Sequence, residues 1–190
     1  MAGGLLAFDC WMYWWHRLNH RVPLLWRLHR VHHSDTAMDA SSGLRFHPGE
    51  ILLSGAARLI VVPLLGVPAE LVALYGAVAL PVVLAHHANV WLPRWLDFGL
   101  FTSGLLVTPA MHRVHHSRVR DETNSNYSSV LPIWDRLFGT LCVRRDIERI
   151  DFGLDEFRDP GAQTVAGMLT TPLATGRASG AGETRESLGE

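Results

Sequence analysis

Two apolar runs dominate the middle of the chain. Residues 51–65 and 69–85 are almost entirely hydrophobic, and Gly66, Val67 and Pro68 separate them. A Gly-x-Pro link is typical of one helix ending and another beginning. As helix, each run is roughly 25 Å long, slightly less than the ~30 Å hydrocarbon core of a bilayer. The pattern predicts a helical hairpin, and residues 4–15 predict the end of an earlier apolar helix that is rich in aromatic residues.

The charges around the hairpin favour a membrane hairpin that enters the bilayer from the cytoplasm. Arg45 precedes the runs and Arg94 follows them, while the turn carries no arginine, as the positive-inside rule expects. Trp91 and Trp95 at the exit suit the membrane interface. Arg58 inside the first run is expected either to snorkel or to face protein. The alternative, which the shortness of the runs favours, is a hairpin buried in a soluble protein.

The rest of the chain divides into polar, histidine-rich segments and a tail. Residues 16–45 and 93–150 are polar and hold most of the histidines, whereas the chain from about residue 161 is rich in Gly, Ala, Thr and Ser. We therefore predict one domain over residues 1–160 and a disordered tail over 161–190. The net charge of −1 gives no indication of nucleic-acid binding. Cys10 and Cys142 lack CxxC spacing, so we expect no disulfide scaffold.

Histidines form the chain's main chemical pattern. All 11 lie between positions 16 and 116. One group has HxxxH spacing and two have the spacing HxxHH, which on a helix directs two or three imidazoles toward one point. His47 stands alone and is expected to be an ordinary hydrogen-bonded residue. The groups are His16 and His20; His29, His32 and His33; His86 and His87, followed by Asn89; and His112, His115 and His116.

This many imidazoles are too many for one metal ion and suit two. Imidazole binds zinc, copper, iron and nickel, but a structural zinc site needs only four ligands and usually includes cysteine. An iron–sulfur cluster is excluded, and the Glu-x-x-His pairs of a carboxylate-bridged site do not occur. A zinc hydrolase would require a glutamate as in HExxH, which none of the groups contains. Iron and dioxygen at such a site, beside a membrane hairpin, are suited to attack on the C–H bonds of a lipid.

The order of these motifs resembles the fatty acid hydroxylase and sterol desaturase superfamily of histidine-box membrane proteins. The resemblance covers about residues 9–140. It implies an all-α integral membrane protein with a non-haem di-iron centre on the cytoplasmic side. It also implies that dioxygen and two electrons, from a ferredoxin or cytochrome with its reductase, are used to hydroxylate or desaturate a sterol-like, fatty acyl or other lipid. The matching segments are residues 9–20, 25–34, 45–50, 87–90, 108–117, 126–127 and 134–140.

The same resemblance implies roles for individual residues. His86 is expected beside the ligands or as a substitute for His87. Asn89 is expected to reach metal through water or to orient a ligand, and Asp9 either to fix the tautomer of His16 or to sit at the interface in solvent. Asp135 is expected near the site in an ion pair with Arg136. The implied metal ligands are His16, His20, His29, His32, His33, His87, His112, His115 and His116.

One departure from the family pattern leaves a second hypothesis open. Family members usually have further membrane helices before the first histidine group, and this sequence starts only a few residues ahead of it. The alternative to a lipid oxygenase is therefore a truncated, non-catalytic, metal-binding membrane protein of the same family.

Overall fold

The computed structural model describes residues 2–174, and about two thirds of these residues are helical. No β-strand occurs among them; the one β-bridge pairs Ser117 with Phe152. The prediction of an all-α protein is therefore confirmed. The α-helices are α1 (Ala2–Arg21), α2 (Pro23–His33), α3 (Pro48–Leu64), α4 (Ala69–His87), α5 (Arg94–Ser103), α6 (Pro109–His115), α7 (Arg120–Thr123), α8 (Ile133–Leu137) and α9 (Val165–Thr170).

The two apolar runs form the predicted hairpin. Helix α3 begins at Pro48, three residues before the apolar run, because the side chain of His47 accepts a hydrogen bond from the backbone N–H of Gly49 and caps the helix. Gly66 takes φ 62° in the turn, a conformation that glycine adopts without strain. Helix α4 continues to His87, two residues beyond the run, and so carries the third histidine group on its last turn.

The hairpin is not buried inside the rest of the protein. Helix α4 is long and apolar enough to cross a membrane, and only 11% of its most apolar 18-residue stretch is buried. Leu52, Leu59 and Leu64 on α3 are 74–80% exposed. A core helix of a soluble protein buries most of its apolar side chains, so the soluble-core alternative does not describe this fold. Helix α1 packs against the hairpin through Phe8.

Residues 161–174 are ordered, unlike the tail predicted to begin at residue 161. They form α9 and a short 3-10 helix, and the guanidinium of Arg30 donates hydrogen bonds to the carbonyls of Thr171 and Ala174. The amide of Gln163 also donates to the carbonyl of Ser34. These contacts with α2 and the turn after it fix a segment whose composition offers little hydrophobic packing. Residues 175–190 lie outside the described part.

Candidate metal centre

Four helices bring the histidine groups to one place at the end of the hairpin. Helix α1 carries the HxxxH pair, α2 the first HxxHH group, α4 the His86–His87 pair on its last turn, and α6 with the residue after it the second HxxHH group. Helix α6 starts where the hydroxyl of Thr108 accepts from the backbone N–H of Met111, with Pro109 in the first turn. The two HxxHH groups, separated in sequence by the hairpin, therefore meet in space, and the rings of His33 and His116 stack at 4.5 Å between centroids.

The nine predicted ligands form two clusters. Within each cluster the potential ligand atoms all lie within 4.8 Å of one another. His86 and His47 belong to neither. The five-histidine cluster contains His16, His20, His29, His33 and His115, and the four-histidine cluster contains His32, His87, His112 and His116.

Each HxxHH group contributes to both clusters. In the first group, His29 and His33 are four residues apart and belong to the five-histidine cluster, while His32 belongs to the other. In the second group, His112 and His116 belong to the four-histidine cluster and His115 to the five-histidine cluster. Residues four apart share one helix face, and the intervening histidine is turned toward the neighbouring cluster. The repeat thus links two adjacent sites.

Hydrogen bonds to backbone carbonyls fix the tautomers in the five-histidine cluster. Nδ1 of His16 lies 2.7 Å from the carbonyl oxygen of Tyr127, and Nδ1 of His115 lies 2.6 Å from that of Ser125. A carbonyl only accepts, so each Nδ1 carries the proton and each Nε2 presents a lone pair. These two Nε2 atoms are 3.1 Å apart. Two lone pairs cannot form a hydrogen bond, so this geometry fits a cation bound by both.

The four-histidine cluster repeats this geometry. Nδ1 of His87 donates to the carbonyl of Val83 at 2.7 Å, which leaves its Nε2 lone pair facing Nε2 of His32 at 3.2 Å and Nε2 of His112 at 3.0 Å. Nε2 of His116 is 3.1 Å from that of His112. Two nitrogens that bind one ion at about 2.1 Å, at right angles, are roughly 3.0 Å apart. The residues present therefore fit a metal ion in each cluster.

Burial keeps these imidazoles in the neutral form that binds metals. It holds the pKa of His33, His115 and His116 well below the ordinary value, and the neighbouring histidines lower it further. A charged imidazolium has no lone pair to offer an ion. At neutral pH, protons therefore do not compete with a metal ion for the imidazole nitrogens of either cluster.

Glu50 is a support residue that the sequence reasoning missed. Its Oε1 accepts from Nδ1 of His29 at 2.7 Å, and both side chains are buried. A carboxylate on the outer nitrogen of a ligating histidine fixes its orientation and raises its basicity. The sequence did contain a sign of this role, because Glu50 is the last residue of the Arg-Phe-His-Pro-Gly-Glu segment that matches the family pattern. It lies in the first turn of α3.

The acidic residues predicted around the site have different partners from those expected. Asp9 accepts from the hydroxyl of Tyr75 at 2.5 Å and the indole N–H of Trp134 at 2.7 Å; it is buried and does not orient His16. Asp135 accepts from two backbone N–H groups, those of Tyr127 and Ser128, and from the hydroxyl of Thr140. The expected ion pair of Asp135 is therefore replaced by bonds that hold the segment whose carbonyl orients His16.

The two remaining support residues lie beside the clusters. The side-chain oxygen of Asn89 accepts from the guanidinium of Arg113, a residue of the second HxxHH segment, at 2.7 Å. His86 is buried and packs on His112 with 3.9 Å between ring centroids.

A cavity of about 460 Å³ opens onto both clusters. His16 and His29 of one cluster and His32, His87 and His112 of the other line its inner end. Its remaining wall is mostly apolar and comes mainly from α1, α3 and α4, with Leu44 and Phe46 from the segment before α3. A mostly apolar cavity with a few convergent polar groups is typical of a small-molecule site.

Several known proteins are similar to this chain in sequence. The chain is 39% identical over 138 residues to the ornithine lipid hydroxylase OlsE of Rhizobium tropici, covering 73% of this chain and 40% of that protein. It is 33% identical over 159 residues to human alkylglycerol monooxygenase (78% and 32%) and 34% identical over 142 residues to a cholesterol 25-hydroxylase-like protein of Danio rerio (74% and 55%).

The chain spans between about a third and just over half of the length of these relatives. No solved structure matches it. The model of the family described as fatty acid hydroxylase matches residues 1–140, which include every histidine of both clusters. The chain belongs to the fatty acid hydroxylase family.

Proposed function

We propose that this protein is a membrane-bound lipid hydroxylase that binds two iron ions, one in each histidine cluster. The observation that carries the proposal is the set of opposed Nε2 lone pairs in two adjacent clusters that share one apolar cavity. The clusters contain no cysteine or carboxylate ligand atoms, which disfavours a typical structural zinc site.

The residues of the chain have separate tasks in this activity. The nine histidines hold the ions, Glu50 orients His29, and the carbonyls of Val83, Ser125 and Tyr127 orient three more ligands. The chemistry that a bound iron pair supplies is the reduction of dioxygen, with two external electrons, and the oxidation of a C–H bond. The cavity holds one stretch of an apolar substrate against the clusters and excludes water.

The names of the relatives support a lipid substrate and hydroxylation. They are called ornithine lipid hydroxylase, alkylglycerol monooxygenase and cholesterol 25-hydroxylase. A lipid would enter the cavity from the bilayer, between the helices of the hairpin and α1. We place the clusters on the cytoplasmic side because Arg45 and Arg94 flank the hairpin at that end. There a ferredoxin or cytochrome with its reductase has access from solution.

The test is purification in neutral detergent with ferrous iron, followed by metal analysis and turnover with mixed bacterial and animal lipids. A ferredoxin with its reductase supplies electrons. We expect two irons per chain, oxygen consumption that depends on lipid, and a product heavier than its lipid by one oxygen atom in mass spectrometry. His116→Ala should lose iron and product, whereas the matched variant His47→Ala, a histidine outside both clusters, should keep them.

Two outcomes would contradict the proposal in different ways. Tight binding of one zinc ion and no iron would exclude the di-iron centre. Two bound irons without oxygen consumption on any lipid would instead favour a non-catalytic metal-binding protein of the family.

A further inference from the structure

Arg58 has an unusual place in the hairpin. It lies in the middle of α3, where the other charged residue between Pro48 and Leu64 is Glu50. Glu50, Ser54 and Arg58 are spaced four residues apart and all line the cavity, so they form one polar stripe on an otherwise apolar helix. Arg58 is the one arginine among the described residues of the cavity wall.

The other two members of the stripe have partners. Glu50 accepts from His29, and the hydroxyl of Ser54 accepts from the indole N–H of Trp15 at 2.9 Å. Within residues 2–174, the guanidinium of Arg58 has neither a hydrogen-bond acceptor nor an ion-pair partner. Its charge interacts electrostatically with Tyr75. The nearby carboxylate of Asp9 is already bonded to Tyr75 and Trp134. Arg58 is exposed on α3. If the hairpin lies in a bilayer, a charged group there without a protein partner is costly, and this indicates a function that uses it.

The cavity connects this guanidinium with the metal clusters. Glu50 marks the level of the clusters because it contacts His29, and Arg58 lies eight residues further along α3, roughly 12 Å at 1.5 Å per residue. The α4 side of the cavity wall includes Ala79, Leu80 and Val83, all apolar. A ligand that fills the cavity therefore meets a cation at one end, hydrocarbon in the middle and the histidines at the other end.

We propose that Arg58 binds an anionic group of the lipid substrate, a carboxylate or a phosphate. A guanidinium donates paired hydrogen bonds to either group. The alkyl segment next to the anionic group lies along the apolar wall, and a carbon further along the chain reaches the clusters. Arg58 thus determines substrate class and the position attacked. This inference rests on the proposed function, since it assigns the substrate of the same cavity.

The experiment measures binding in the iron-loaded protein, without turnover. The fluorescent fatty acid cis-parinaric acid is bound in neutral detergent and displaced by palmitate, hexadecyl phosphate or hexadecanol. For the unsubstituted protein we expect at least one anion to displace the probe at a tenfold or lower concentration than the alcohol. The more effective anion identifies carboxylate or phosphate as the natural group. Arg58→Met should abolish this preference and leave hexadecanol within about twofold, Arg58→Lys should keep part of it, and Arg136→Met, an exposed arginine outside the cavity, should not change it.

Equal displacement by all three competitors in the unsubstituted protein would overturn the inference without any variant. A preference for anions that persists in Arg58→Met would also overturn it, because the anion would then bind elsewhere, for example at the clusters. The result is separate from the test of the proposed function. An anion preference that depends on Arg58 stands even if no lipid is oxidised, and turnover on a neutral lipid alone refutes the inference while the hydroxylase activity stands.

Discussion

Glu50 gives the sharpest test of the metal centre, because it contacts one cluster and not the other. Its buried carboxylate accepts from Nδ1 of His29 at 2.7 Å. A hydrogen bond to a charged group contributes about 1.5–3 kcal/mol, and each 1.4 kcal/mol corresponds to a factor of about ten. Glu50→Ala should therefore weaken the metal of the five-histidine cluster by about 10–100-fold, the usual range for loss of such a support residue. Glu50→Gln keeps an acceptor without the charge and should lose less.

The assay is a titration with Co²⁺, a spectroscopic substitute for Fe²⁺, in competition with a chelator of known affinity. We expect two binding steps in the unsubstituted protein, and in Glu50→Ala one step that is weakened and one that is nearly unchanged. The matched control is Glu148→Ala, because Glu148 makes only an exposed ion pair at 3.5 Å. If Glu50→Ala binds cobalt as the control does, His29 is not a ligand and the assignment of the five-histidine cluster fails.

Four further substitutions separate the roles of residues near the site. His87→Ala should leave one ion per chain in metal analysis, whereas His86→Ala should keep both, since His86 belongs to neither cluster; equal losses in the two variants would contradict the clusters. Asp135→Ala should lower the free energy of unfolding by about 3–5 kcal/mol, because three buried donors lose their acceptor, and thermal unfolding in detergent measures it. Asp9→Ala should destabilise the fold by about 2–4 kcal/mol, because two hydrogen bonds are lost. Its iron content should stay unchanged. If the folded variant loses iron, Asp9 does orient His16 after all.

The convergence of the histidines could be predicted because it depends on local geometry. Helical spacing alone determines that the histidines of an HxxHH group point in two directions, and two such groups at the ends of a hairpin have to meet when the hairpin returns. What spacing does not give is the partition into two clusters. The assignment of His32 and His115 to opposite sites depends on the packing of α2 against α6, which is a tertiary contact.

The support residues were less predictable for the same reason. Asp9 shares a helix face with His16, so the sequence suggested contact, but Tyr75 and Trp134 from distant segments compete for its carboxylate. The acceptors for His16 and His115 are the backbone carbonyls of Tyr127 and Ser125. Every residue has a backbone carbonyl, so the sequence does not indicate which one accepts a given hydrogen bond. The prediction of a tail from residue 161 rested on composition. It did not include the hydrogen bonds from Arg30 and Gln163, or the packing of Ala162 and Ala174 against a buried apolar cluster.

Each HxxHH segment is shared between the two clusters, which has a consequence for how the proposed centre assembles. Binding at the first cluster restrains α2 and the end of α6, and the same restraint preorganises three of the four ligands of the second. Most of the entropy cost of ordering these ligands is then paid when the first ion binds, so the first ion increases the affinity for the second. By thermodynamic reciprocity, an ion in the second cluster increases the affinity of the first cluster equally. Chains that hold a single, redox-active ion would therefore be rarer than two independent sites would make them.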